Sequence, residues 1–409
     1  MNHPIHHGGN PSSLRKKLGL GNLPMLDFSS SLNPLGPPDS AVEAARNALV
    51  EIGRHSEPGS PRLVAKIAEH HQVPEDRVIV GAGTTELLGL IGQSLREVLA
   101  YHAQALGDPS RPLSHLVDPT DGEYRRVSKQ NELRAQVWGE HILGWEQEVL
   151  PRQANGIFWT GHPDNPTGRA WNPSVLTRFV DETLGLLTVV NESLLPFFSD
   201  EAERSMIPAA ATRENLLVLR SFSSFYAIPN LRVGYAIAPP DMVKRIRQYQ
   251  DHWSVSAIAE AAAIAALDDR EYRERTRAMV PIETGRLVDR LWDIPGLRPA
   301  WPDRVRPVSA PPLANQVLVS LTQTDWDSIQ LQEALATRGL FVRECSDFPG
   351  LEVGALLTGN DQLIATRGQI RVAVRTTEEN DRLLTTLAEI LESRPPDRST
   401  EGPKAGPSW

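Results

Sequence analysis

The chain has 409 residues, of which 40% are hydrophobic and 23% charged, with a net charge of -9. This length suits one large domain plus a smaller one, and the acidic balance excludes a basic surface for nucleic acid. A single cysteine, Cys345, excludes an internal disulfide and a cysteine-rich metal site, so we predict no metal. We expect a cytoplasmic protein with no membrane partner, because no apolar run could span a bilayer and the N-terminus lacks an apolar signal core.

The predicted elements start with an arm rich in Gly, Pro and Ser and then alternate between helix and strand. Helices are predicted over 12–18, 40–53 and 60–71. A short strand, 78–80, leads through Gly81-Ala82-Gly83 into a helix that begins at Thr84. Further strands are predicted over 156–160, 186–190, 216–219 and 233–237, with helices between them. This alternation predicts an α/β fold with a mostly parallel sheet.

The second half of the chain predicts a smaller α+β domain. A long alanine-rich helix over 258–279 precedes strands over 316–321, 340–343 and 370–374 and a last helix over 378–392. We therefore divide the chain into four parts: an arm with part of the small domain (1–50), a large α/β domain (51–255), an interdomain helix with the small domain (256–392), and a disordered tail (393–409).

Three motifs lie at the ends of predicted strands. They are His162-Pro163-Asp164-Asn165-Pro166-Thr167-Gly168, Leu187-Thr188-Val189-Val190-Asn191-Glu192, and Leu219-Arg220-Ser221-Phe222-Ser223-Ser224-Phe225-Tyr226 followed by Asn230-Leu231-Arg232-Val233-Gly234-Tyr235. Each is weak alone, but in this order and spacing they resemble the pyridoxal-phosphate (PLP) enzymes of the aspartate-aminotransferase fold, fold type I. The resemblance implies a large domain with a mostly parallel sheet, a smaller α+β domain, a PLP site and a dimer.

The resemblance also implies which residues would hold the cofactor. Asn165 matches the asparagine that hydrogen-bonds the cofactor's 3-hydroxyl oxygen. The phosphate would lie at the helix N-terminus formed by Gly83, Thr84 and Thr85, where free N–H groups and the helix dipole favour an anion. Ser221 and Arg232 match the hydroxyl and the guanidinium that complete this phosphate site.

Four positions depart from the family pattern. Ser224 stands where the family has the lysine that forms the Schiff base and moves the substrate's protons. Asn191 replaces the aspartate that keeps the pyridine nitrogen protonated, and it carries no charge. Asp121 stands where an aromatic residue stacks on the ring. His55 replaces the tyrosine that reaches the neighbouring subunit's cofactor phosphate, unless it is an ordinary exposed loop residue.

Segments near the two ends of the chain resemble L-threonine-O-3-phosphate decarboxylases. These enzymes form the cobalamin-pathway branch of the family, next to the histidinol-phosphate aminotransferases. These segments include His7-Gly8-Gly9-Asn10, Asn33-Pro34-Leu35-Gly36, Cys345-Ser346-Asp347-Phe348-Pro349-Gly350-Leu351 and Ile370-Arg371-Val372-Ala373-Val374-Arg375. By resemblance, Arg371 would hold the substrate α-carboxylate. Arg375 and the arm residues His7, Gly8 and Asn10 would lie near the substrate phosphate, and Asn33 is a further expected substrate-binding residue. Residues 352–369 form an apparent insertion.

No other lysine is an evident replacement at position 224. The six lysines lie on polar helix faces (Lys66, Lys129, Lys244), in the arm (Lys16, Lys17) or in the tail (Lys404). Three hypotheses remain open. The first is a catalytically degenerate homologue that keeps a pocket for an amino-acid phosphate or for non-covalent PLP. The second is a lysine-independent enzyme that uses PLP or pyridoxamine phosphate, with His55 or His162 as the base. The third is a subunit that completes the site of an active paralogue in a heterodimer.

Overall fold

The computed structural model describes residues 8–105, 113–138, 155–168, 170–299, 314–351, 356–359 and 362–396. The α-helices of these residues are α1 (Pro11–Leu18), α2 (Asp39–Ala48), α3 (Pro61–His71), α4 (Thr84–Ala105), α5 (Gly122–Gln130), α6 (Pro173–Glu182), α7 (Glu201–Arg204), α8 (Ile207–Ala210), α9 (Pro240–Tyr249), α10 (Ala257–Asp268), α11 (Arg270–Trp292), α12 (Ser328–Thr337) and α13 (Thr377–Glu392).

The strands of the described residues are β1 (Leu26–Asp27), β2 (Val78–Gly81), β3 (Leu113–Val117), β4 (Arg134–Trp138), β5 (Gly156–Gly161), β6 (Leu186–Asn191), β7 (Leu216–Ser221), β8 (Gly234–Ile237), β9 (Leu297–Pro299), β10 (Gln316–Leu321), β11 (Leu340–Phe341), β12 (Arg343–Glu344), β13 (Leu356–Gly359), β14 (Gln362–Ala365) and β15 (Gln369–Ala373).

The larger sheet has seven strands in the order β2-β8-β7-β6-β5-β3-β4. All neighbouring pairs are parallel except those that β8 makes with β2 and β7. Strands β5, β6 and β7 are apolar and buried almost throughout, as expected where helices cover both faces of a parallel sheet. The predicted α/β fold with a mostly parallel sheet is confirmed.

Two apolar cores cover this sheet, one on each face. Helices α2, α3, α6 and α10 supply the first core, with Leu63, Ile67 and Phe179 among its buried side chains. Helices α4, α5 and α9 supply the second, which includes Leu87 and Ile246. The sheet is therefore covered on both faces, and the candidate site lies at the edge where β5, β6 and β7 have their carboxyl ends.

A smaller four-stranded sheet has the order β12-β15-β10-β9 and is antiparallel. Its core is formed with α12, α13 and the second half of α11, and it also includes Phe28. Strand β1 pairs in parallel with β11, so the N-terminal arm packs against the small sheet rather than the large one.

The structure differs from the sequence expectations at three places. The predicted helix over 258–279 is two helices, because the Asp269 side chain accepts the Tyr272 backbone N–H at 2.9 Å and starts a new helix. The predicted strand over 340–343 is split between β11 and β12, which pair with different partners. Within the apparent insertion, β13 and β14 form an antiparallel pair. Residues 397–409 of the expected tail lie outside the described residues.

Helices long and apolar enough to cross a membrane are absent from the part of the chain that the structure describes.

Candidate functional site

A cavity of about 1080 Å³ lies between the carboxyl ends of the central strands and the small sheet. It is lined by ten of the residues that the sequence singles out: Gly8, Thr84, Thr85, Asp121, Asn165, Asn191, Ser221, Ser224, Arg232 and Arg371. They come from the N-terminal arm, the large sheet and β15, so only the folded chain brings them together.

The position of the cavity follows from the topology of the sheet. Asn191 and Ser221 are the last residues of β6 and β7, and Asn191 lies opposite Gly161, the last residue of β5. Side chains at the carboxyl ends of parallel strands meet at one edge, where ligands of such sheets usually bind. The loops that leave these strands carry Asn165 and Ser224 to the same edge.

One end of the cavity can hold an anion. Helix α4 begins at Thr84, and the free N–H groups of its first turn lie beside Ser221 and Arg232. Gly83 has φ of +83°, and a Cβ there would lie 2.6 Å from Nη2 of Arg232. The guanidinium therefore packs directly on the glycine backbone, and Arg232 donates from Nη1 to the Pro229 carbonyl at 3.1 Å.

A second group of side chains joins the two sheets across the cavity. The Asn165 amide donates from Nδ2 to Oδ2 of Asp121 at 3.1 Å, and its oxygen accepts a hydrogen bond from Nη1 of Arg371. Arg371 also donates from Nη2 to the Ser29 carbonyl at 2.5 Å, while its buried Nε has no acceptor. Burial lowers the pKa of the Arg371 guanidinium, and the charge of Arg343 acts in the same direction.

Asn191 is held by its neighbours. Its side-chain oxygen accepts the Ser193 backbone N–H at 3.1 Å and the Ser193 hydroxyl at 2.5 Å. The Asn191 side chain also acts on the buried Tyr124 hydroxyl, in the direction that lowers its pKa. Burial, with the charges of Asp121 and Asp164, raises the pKa of Tyr124 well above its ordinary value, so this phenol stays protonated.

Ser224 lines the cavity, and its backbone is fixed from outside the cavity. The Asn33 N–H donates to the Ser224 carbonyl at 2.9 Å, and the Asn33 amide donates to the Phe225 carbonyl and to Thr276 Oγ1 at 2.9 and 2.8 Å. Asn33 is buried and does not line the cavity. In the structure it therefore holds the Ser224 loop against α11.

Gly83 is also absent from the cavity lining, and so are three further expected site residues. Arg375 lies beyond the end of β15, where the Glu379 carboxylate accepts from its Nε and Nη2 at 3.0 Å each. Asn10 is exposed at the start of α1, and His55 is exposed with its ring 5.2 Å from that of Trp253. His7 lies outside the described residues.

Arg343, a further arginine of the cavity, is not among the residues that the sequence motifs singled out. It lies directly opposite Arg371 in the pairing of β12 with β15, and its Nη2 is 2.7 and 2.8 Å from the Asp347 carboxylate oxygens. An arginine that follows the apolar Leu340-Phe341-Val342 was the available signal, since a charge in a buried strand needs a partner. Lys129 was dismissed as a solvated residue, but it also lines the cavity, at the exposed end of α5.

A buried ionic network, also missed, lies behind the strand ends. Arg220 precedes Ser221, and Glu192 follows Asn191. Arg220 contacts Glu192 at 2.7 Å and also Glu201, which in turn pairs with Arg277. Although burial alone would lower it, these carboxylates raise the pKa of Arg220, so the arginine stays charged.

Comparison with known proteins agrees with this geometry. The model of the family "Aminotransferase class I and II" matches residues 144–387. Threonine-phosphate decarboxylase of Salmonella typhimurium is 30% identical over 94% of this chain and 96% of its own length. The chain belongs to the class I and II aminotransferase family.

Solved structures of aminotransferase-family proteins share the fold. L-threonine-O-3-phosphate decarboxylase from Porphyromonas gingivalis superposes with a TM-score of 0.73 at 21% identity, covering 90% of this chain and 99% of that one. Histidinol-phosphate aminotransferase from Sinorhizobium meliloti, in complex with pyridoxal-5'-phosphate, gives 0.72 at 19% identity and covers 96% of each chain. The expected fold type I is confirmed.

The family cofactor fits one end of this aminotransferase-family cavity better than the other. The phosphate end has a helix N-terminus, a hydroxyl and a guanidinium, and Gly83 leaves the close approach that a Cβ would block. At the ring end, Asp121 offers no aromatic face and Asn191 no negative charge. The amide of Asn165 is already bonded at both ends. The residues around the start of α4 therefore fit a phosphate, and the residues at the other end do not match the groups that hold the cofactor ring in the family pattern.

Proposed function

We propose that this aminotransferase-family protein acts by binding and not by turnover. Its ligand is an amino-acid phosphate of the L-threonine phosphate type, and it holds PLP without a covalent bond. The observation that carries the proposal is that Ser224 lines the cavity, since the motif resemblance aligns this serine with the family's Schiff-base lysine. A hydroxyl cannot form the imine, and no base adjoins it in sequence, so the acid–base group of the family reaction is missing.

Lys129 does not supply the missing amine in this proposal. It is the cavity lysine in the described part of the chain, and it occupies the last turn of α5. That turn is about 10 Å along the helix axis from Gly122, at the end remote from the strand ends. Lys129 is also exposed at this end of the helix.

Different residues of the cavity would bind the two ligands. Thr84, Ser221 and Arg232 suit the phosphate of PLP, while Arg371 and Arg343 suit the anionic groups of an amino-acid phosphate. The contacts of Arg371 support this role, because in the described residues its guanidinium donates to the neutral oxygens of Asn165 and Ser29 and makes no ion pair, so a bound anion would supply its counter-charge.

Borohydride reduction tests the absence of a covalent link. The protein is incubated with PLP, reduced and mapped by mass spectrometry, with Ser224→Lys as the matched positive control. We expect a pyridoxyl adduct at position 224 of the variant and none on the wild-type chain. A stoichiometric adduct on Lys129 or any other wild-type lysine would contradict the proposal.

Calorimetry tests the ligand class. We expect O-phospho-L-threonine to bind at least tenfold more tightly than L-threonine, because a charge-assisted hydrogen bond contributes roughly 1.5–3 kcal/mol. Arg371→Ala should weaken both ligands, and Arg232→Ala should weaken PLP. Equal affinity for the two amino acids would remove the phosphate site from the proposal, and release of CO₂ or transfer of the amino group would overturn the binding-only function.

The hypothesis of a lysine-independent enzyme named His55 or His162 as the base, and neither residue lines the cavity. His162 is buried away from the cavity, donates from Nε2 to the Arg204 carbonyl at 2.9 Å, and accepts the Trp171 N–H at Nδ1. Burial lowers the pKa of His162, so the ring stays neutral with both nitrogens occupied. His55 is exposed and also lies outside the cavity lining.

The partner-subunit hypothesis remains a second candidate because of one surface. The rings of His55 and Trp253 are 5.2 Å apart and tilted, and the nearby sequence positions Leu49, Val50 and Ile52 are exposed, with 82% of Val50 accessible. Large exposed apolar side chains of this kind are typical of an interface. Light scattering, alone and after mixing with an active paralogue, separates the possibilities. A heterodimer with increased turnover would favour the subunit role, and a stable homodimer without turnover would favour the binding protein.

A further inference from the structure

The carboxylates of the cavity differ in how their charge is balanced. Three line it in the described part of the chain: Asp121, Glu123 and Asp347. Glu123 accepts from Nε of Arg126 at 2.8 and 3.0 Å, and Asp347 is paired with Arg343. Asp121 accepts hydrogen bonds only from the neutral N–H groups of the Glu123 backbone, at 3.0 Å, and of Asn165, at 3.1 Å. No ion pair within 4.0 Å involves it in the described residues.

The opposite charge is held one side chain away. The Asn165 carboxamide joins Asp121 to Arg371, and the buried Nε of Arg371 has no acceptor. The cavity lining therefore holds a carboxylate without a cationic partner and, one carboxamide away, the guanidinium of Arg371. The path between them, through one carboxamide and two hydrogen bonds, is about 8 Å.

A zwitterion of similar length would place its ammonium group on the carboxylate and its own carboxylate on the guanidinium. The ammonium nitrogen and a carboxylate oxygen of an α-amino acid are about 3 Å apart, and two charge-assisted hydrogen bonds of about 2.8 Å extend this span to about 8–9 Å. We propose that Asp121 binds the ammonium group of an α-amino-acid phosphate whose carboxylate lies on Arg371, and so makes the pocket selective for amino over deaminated ligands. This inference rests on the proposed function and extends it to the free amino group.

The carboxylate at position 121 has a second, structural role that the test must separate. Its Oδ1 caps α5 by accepting the Glu123 N–H. Asparagine and serine cap helices about as well as aspartate, so Asp121→Asn and Asp121→Ser remove the charge and keep the cap. Glu123→Gln is the matched control, because it removes a carboxylate from the same wall that already has its own arginine.

The experiment is calorimetry at pH 7.5 with O-phospho-L-threonine and with 3-phosphooxybutanoate, its analogue with hydrogen in place of the amino group. We expect the wild-type protein and Glu123→Gln to prefer the amino compound by about tenfold or more. In Asp121→Asn and Asp121→Ser the ratio should fall to within about threefold. Circular dichroism of each variant confirms that it is folded.

The outcomes distinguish this inference from the function it rests on. If the wild-type protein binds both compounds equally, Asp121 is only a helix cap and the binding function stands. If both Asp121 variants are folded and keep the preference, another group holds the ammonium and the assignment is wrong. If the wild-type protein binds neither compound, the proposed function itself fails.

Discussion

Replacing Arg220 with methionine removes the centre of the buried ionic network behind the strand ends. Glu192 has 0% of its side chain exposed and would keep only the Ser205 hydroxyl and the Met206 N–H as donors. Glu201 would retain Arg277. Breaking a buried pair typically costs about 3–5 kcal/mol, because one charge stays buried without compensation. With an unfolding entropy of about 2.1 cal/mol/K per residue over this chain, the melting temperature should fall by about 3–6 °C.

Thermal unfolding by circular dichroism at pH 7.5 measures this effect against a matched surface pair. Arg213 contacts Asp181 at 2.7 Å, but half of the Asp181 side chain is exposed. Arg213→Met should therefore cost at most about 1 kcal/mol, or about 1 °C. Adding Glu192→Gln to the Arg220 variant should restore part of the loss, because it removes the stranded charge. An Arg220→Met protein that melts within 1 °C of the wild type, or no lower than Arg213→Met, would refute the reasoning.

Three further predictions concern the site and the pH dependence of stability. Ser224→Lys should acquire a pyridoxyl adduct but no family-level turnover of O-phospho-L-threonine, because the ring-facing groups stay altered; full activity in a product assay would contradict this. Arg343→Ala should weaken calorimetric binding of that ligand about tenfold or more, whereas Arg375→Ala, whose guanidinium lies on Glu379, should change it less than about twofold. Burial lowers the pKa of His71 to about 2 in the folded protein, so below pH 6.5 the unfolded chain binds one more proton at this residue than the folded chain does. The free energy of unfolding should therefore decrease as the pH is lowered, by up to about 1.4 kcal/mol per pH unit. His71→Gln should flatten this slope in melts from pH 6.5 to 4.5, and an unchanged slope would contradict it.

The strand-end residues show how far local pattern reaches. Asn165, Asn191 and Ser221 follow apolar runs in the sequence, and a parallel sheet places the ends of such runs at one edge. Arg375 shows the limit of the same reasoning. The resemblance places it near the substrate phosphate, next to the strand predicted over 370–374, but β15 ends at Ala373, and the Glu379 carboxylate in the first turn of α13 accepts from its guanidinium. A sequence pattern does not report where a strand stops.

The sequence alone determined the fold class and the family, because apolar periodicity and ordered motifs survive without coordinates. It also determined that a serine occupies position 224. Only the tertiary structure decided which charges meet. Arg343 faces Arg371 through strand register, and Asp121 reaches Arg371 through Asn165. Such contacts join segments that are far apart in the chain, and register and packing set them, so no local pattern of residues encodes them.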